Sequence, residues 1–141
     1  MRRHDERGSA AVEAVIGVPA FALLILLVIM GGRVALARQA VDAAAADAAR
    51  VASLSRDATK ARNSAIEVAE ATLANQAITC LDTTVTLDAA ALRQPAGTPG
   101  EVTATVSCLL KLSDLGLPVG SRTITATVTS PVDTYSERAN P

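Results

Sequence analysis

One carboxylate, one histidine and two cysteines are the residues of this chain whose chemistry needs an explanation. Glu13 stands at the mouth of an uncharged run, Ala14 to Gly32, and an ionisable group on a membrane-length apolar segment is costly unless it has a role or a partner. The plainer reading places Glu13 at headgroup level, where that cost is small. Cys80 and Cys108 both lie downstream of the run. In a cytosolic protein they would be two buried thiols. A segment that follows an export signal instead faces an oxidising compartment, which favours a Cys80 to Cys108 disulfide. Closing a loop of that length stabilises a fold by about 3 to 4 kcal/mol in the chain-entropy description.

The remaining chemistry is mostly excluded by what is missing. His4 is the only histidine, so a Ser-His-Asp or Cys-His site has little to work with. The two cysteines lack the spacing of a zinc site, and no second histidine can complete one. Gly31-Gly32 sits at the boundary of the apolar run and not between a strand and a helix, so it cannot cradle a phosphate. The acidic residues are scattered as solvated faces. The expectation is a protein that is not an enzyme, with no catalytic residue, no metal, no cofactor and no small-molecule substrate.

The elements around these residues follow from periodicity. Ala14 to Gly32 gives nineteen uncharged residues, about 28 Å as a helix, enough to cross a hydrocarbon core. The stretch Phe21 to Met30 has no polar face, which argues against a buried core helix, and Pro19 removes one helix hydrogen bond and predicts a kink or local loosening. Beyond it the helical pattern continues, with Val41, Ala44, Ala45, Ala48, Val51 and Ala52 on one stripe and Asp42, Asp47 and Arg50 outside it. A break is expected near Ser53 to Asp57, with Ser55 or Asp57 capping a second segment in which Ile66, Ala69, Leu73 and Ala77 repeat at helical spacing.

After Asn75 the period becomes that of strands. Leu81, Thr83, Val85 and Leu87 alternate, then Val102 through Cys108 to Leu112, then Ile124, Ala126 and Val128. Loops rich in proline and glycine separate them, at Pro95 to Gly100 and at Gly116 to Gly120. Threonine on the alternate positions suits an antiparallel sheet with one solvated face. The fold class is therefore α+β: a long N-terminal helix, half membrane-spanning and half outer and amphipathic, followed by a small three-stranded antiparallel sheet.

Composition sets the scale. The chain has 141 residues, half of them hydrophobic, yet one Phe, one Tyr and no Trp. A core of alanine and valine buries little area per residue, so an outer domain this small needs a crosslink or neighbouring subunits. The net charge of -1 and the lack of a basic cluster beyond the N-terminus leave no footprint for nucleic acid.

The junction Arg7-Gly8-Ser9-Ala10-Ala11-Val12-Glu13, leading into the apolar run with Pro19 following, resembles a type IV prepilin junction, and more specifically that of TadE-like pseudopilins of the tight-adherence (Flp) pilus system. The resemblance covers about Arg7 to Leu54. It implies cleavage by a prepilin peptidase between Gly8 and Ser9, and an assembly role for Glu13 at the fifth mature position, where it would pair with the new Ser9 amine or with a neighbour. It also implies the peptidase, the Tad secretion platform with its ATPase, and other pilins as partners, with cell adhesion among the uses of such a pilus. The organisation expected is a leader over 1–8, a transmembrane helix over 9–32, an outer helical segment over 33–78, a sheet domain over 79–135 and a tail over 136–141. Such a chain would lie in the bacterial cytoplasmic membrane, single-pass, with its N-terminus in the cytoplasm and its C-terminal domain outside, associated with the pilus.

Two other classes compete. Ala35-Leu36-Ala37 is a small-residue site that a signal peptidase could use, giving a secreted binding domain. Without any cleavage the chain would be a single-span protein with an outer scaffold domain. Charge decides orientation only partly, since Arg2, Arg3 and Arg7 are opposed by Arg33 and Arg38 across the run. The mature N-terminus separates the readings: Ser9, Arg38 or Met1.

Overall fold

A computed structural model of the chain describes residues 5–113 and 120–134. Its elements are a helix α1 at Asp5–Ser53, a helix α2 at Ala58–Asn75, and strands β1 at Asp82–Asp88, β2 at Glu101–Lys111 and β3 at Ser121–Pro131. A short 3₁₀ turn at Ala90–Arg93 lies between β1 and β2. The α+β arrangement is that expected from periodicity. Residues 1–4 of the expected leader, the expected tail over 136–141 and most of the second loop, at 114–119, lie outside the described residues.

α1 is one helix of 49 residues, about 70 Å long, and it serves two environments. From Val12 to Leu36 every residue is exposed apart from half-buried Met30 and Val34. That half contains a window of mean hydropathy 2.7 with none of it buried. Pro19 lies inside the helix, which continues through it; a single lost N–H bond is a local cost that the flanking apolar turns tolerate. From Ala37 the character changes. Ala37, Ala40, Val41, Ala44, Ala45 and Ala48 are fully buried, recurring at the three- and four-residue steps that keep one face of a helix aligned. Ala52 is buried as expected, whereas Val51, expected on this stripe, is only half-buried and Ala49 is buried instead.

The chain reverses over four residues and α2 packs back along α1. Asp57 is the N-cap, its carboxylate accepting from the Thr59 N–H at 2.8 Å. Ser55, the other capping candidate, instead donates to the Val51 carbonyl. α2 meets the core through Ala61, Ala65, Ala69 and Leu73, every fourth residue, so the contact is lined mostly by alanine methyl groups, with Val41 and Leu73 the larger exceptions, and the helices can approach closely. A bond from the Thr72 hydroxyl to the Asp47 carboxylate, 2.9 Å, joins them at the surface.

Ala77, expected on the α2 stripe, is instead exposed and lies past the helix end with φ 56°. The Ile78 N–H bonds the Leu73 carbonyl and the Ala77 N–H bonds the Ala74 carbonyl, both at 3.0 Å. This is the pairing that closes a helix through a left-handed residue, a position glycine normally takes.

The sheet has order β1-β2-β3, antiparallel throughout. β2 is central, and its burial alternates along its whole length, Val102, Ala104, Val106, Cys108 and Leu110 facing inward. β3 contributes Ile124 and Ala126, and β1, on the edge, contributes Leu87. Leu81 precedes β1 and is 51% exposed, and Leu112 follows β2 and closes the next connection with its N–H on the Gly120 carbonyl. α1 covers β2 and β3, while α2 reaches β1.

The opposite face carries hydroxyls in cross-strand register: Thr103 with Thr129, Thr105 with Thr127 and Ser107 with Thr125, at 3.1, 3.0 and 2.9 Å. Two parts of the core escaped the periodicity. Ala91 and Leu92 are buried from the short turn, and Val132 is buried just past β3, where its N–H meets the Gly100 carbonyl. Gly100 is needed there, since a Cβ on it would fall 2.6 Å from the Ala91 Cβ.

Candidate functional site

The candidate site is the first turns of α1. Gly8, Ser9 and Glu13 all lie on its helical backbone. Ser9 and Glu13 are one turn apart on one face, about 6 Å along the axis, and the Glu13 side chain is exposed. A chain beginning at Ser9 would therefore present its α-amine and the Glu13 carboxylate along the same edge, within the first turns where the helix dipole also favours a negative charge. Sequence spacing alone put these residues close. Their alignment on one face needs the helix to run unbroken into the apolar segment, which it does.

What surrounds that edge is apolar and bare. Val12, Val15 and Ile16 are each more than 60% exposed, and every large side chain from Val18 to Ile29 is exposed as well. An apolar surface of this extent on a lone helix is unstable in water and favours contact with another apolar surface.

The second candidate, the cysteine pair, is joined. Cys80 and Cys108 form a disulfide with Cα atoms 5.4 Å apart. Cys108 is fully buried on the inward face of β2. Its cross-strand partner is Thr83, so Cys80 sits three residues ahead of that partner, in the connection between α2 and β1. The Leu81 N–H bonds the Leu109 carbonyl at 2.7 Å beside it. The crosslink thus ties the end of the helical layer to the central strand.

Among the described residues no group of three or more His, Cys, Asp or Glu is placed to hold a metal.

Residues 8–50 match the family model described as TadE-like protein. The match begins at Gly8 and ends three residues before the end of α1, so it takes in the bare half and nearly all of the buried alanine stripe. The sheet lies beyond it. No curated protein and no solved structure matches the chain.

Proposed function

We propose that this chain, TadE-like over residues 8–50, is a pseudopilin or minor pilin of a Tad-type pilus system: a structural subunit, not a catalyst. A prepilin peptidase removes residues 1–8, leaving Ser9 as the N-terminus. The mature helix is held in the cytoplasmic membrane with its start on the cytoplasmic side, and the sheet domain stands outside. From there the subunit passes to the Tad platform and other pilins, and the Glu13 carboxylate offsets the burial of a Ser9 amine, its own or a neighbour's.

The observation that carries this reading is the division of α1. A helix bare and apolar from Val12 to Leu36, then fully buried on one stripe under a crosslinked sheet, is a subunit with a built-in stalk that must be covered by lipid or by other stalks. The signal-peptidase alternative fits less well. Ala37 is fully buried within α1 and begins the stripe on which the outer domain packs, so a peptidase acting there would have to unwind the helix at the base of the domain.

The N-terminal residue of the membrane-resident protein tests the proposal. Ser9 is expected. Arg38 would make the chain a secreted domain, and Met1 an uncleaved single-span protein.

A further inference from the structure

We propose that the membrane-proximal rim of the outer domain, built from Arg33, Arg38, Lys111 and Arg122, is a seat for the phosphates of anionic phospholipid headgroups; the proposal rests on the membrane-anchored reading above. Two contacts give the direction of the domain. At one end the Ser130 hydroxyl bonds Ser53, which in turn bonds the Arg50 carbonyl. At the other, Arg38 and Arg122 line one open groove of about 330 Å³ with Asp42 and Thr123. α1 and β3 therefore run the same way, and the groove end is the one nearer the apolar half of α1.

The depth fits. Arg33 directly follows Gly32, and Arg38 lies six residues past it, about 9 Å along the axis. The polar layer on each side of a hydrocarbon core is about 5 to 8 Å thick. Helical side chains lean toward the N-terminus, which for Arg38 is toward the membrane, so its guanidinium is carried back into that layer. Arg122 joins it from β3, and Lys111, opposite Ser121 in the β2–β3 register, lies at the same end of the sheet on its other face. All four cations are exposed.

Among the described acids, Asp42 lines the same groove one turn farther from the apolar half, so two guanidinium groups there face one carboxylate, and Asp82 begins β1 on the opposite edge of the sheet. Guanidinium groups converging from two elements suit the forked recognition of phosphate oxygens. The inference also accounts for basic residues on the side of the span where orientation rules would not place them.

The test uses the full chain in nanodiscs of equal phosphatidylglycerol and phosphatidylcholine, extracted into mild detergent and weighed by native mass spectrometry. Wild type should retain phosphatidylglycerol over phosphatidylcholine. Arg38→Gln/Arg122→Gln should lower that preference about tenfold, with the disulfide-bonded mass confirming an intact domain. Arg38→Lys/Arg122→Lys should keep most of it. A chain that begins at Ser9, without Arg2, Arg3 and Arg7, should show the same drop on Arg38→Gln/Arg122→Gln. Equal retention by wild type and the glutamine variant, or displacement of the lipid by inorganic phosphate alone, would overturn the proposal. A chain that stays soluble without detergent would instead overturn the anchored reading.

Discussion

Glu13 is exposed on a helix whose neighbouring side chains are apolar, so its value lies in what approaches it, and its removal should leave membrane insertion alone. Glu13→Ala is expected to give a processed, membrane-resident protein that fails to enter filaments, measured by fractionation together with pilus counts. Wild-type pilus numbers with the variant incorporated would reduce Glu13 to a headgroup-level bystander. Ala77 is a residue-scale feature of another kind. A non-glycine residue at φ 56° carries a left-handed penalty of about 1 kcal/mol or more, partly offset because glycine is more flexible when unfolded. Ala77→Gly should therefore raise stability by roughly 0.5 to 1 kcal/mol, read as a higher denaturation midpoint in detergent. A lower midpoint would mean that the turn is held by something other than its backbone geometry.

At the scale of elements, the helical hairpin depends on side chains that take up almost no space. Ala48 is fully buried, whereas Ala46, two residues earlier on the same helix, is exposed. Ala48→Leu should cost about 1 to 3 kcal/mol by forcing α1 away from its neighbours, and Ala46→Leu should be nearly neutral. Equal effects in thermal unfolding would show that the stripe does not set the helix spacing. The disulfide makes a contribution of comparable weight. With 28 residues separating its cysteines, replacing both Cys80 and Cys108 by alanine should lower stability by about 3 to 4 kcal/mol. A loss well below that range would mean that residual structure already restrains the reduced, unfolded chain.

For the whole molecule, the proposed function makes insertion, processing and assembly successive events on one helix whose halves are bare and buried. Gly8→Leu should block maturation by crowding the backbone that the peptidase must approach, leaving full-length protein in the membrane fraction by intact mass. Normal maturation of that variant would remove cleavage between Gly8 and Ser9 from the proposed function. The outer domain is held by small side chains, its largest fully buried ones being Val41, Val102, Val106 and Cys108. Little area is buried per residue in such a core, so any contact made with another surface would weigh more in its stability than in a domain with an aromatic interior.

Much of this was legible in the sequence because it depends on local periodicity. The apolar run, the break before Asp57, the alternation of β2 and the threonine face are each written in steps of three to four or of two residues, and the family match falls on the junction where Gly8, Ser9 and Glu13 stand. Tertiary structure decided what periodicity does not encode. Ala91, Leu92 and Val132 are core residues because the chain folds them over the sheet from segments without a repeat. Ala77 leaves its stripe because ending the helix requires a left-handed residue, and alternation alone could not tell that Cys80 would reach Cys108. The groove shared by Arg38 and Arg122 exists only because α1 and β3 lie side by side in the same direction. Local patterns specify which face of each element is apolar; which elements meet, and which charges they bring together, is settled only when those faces pack.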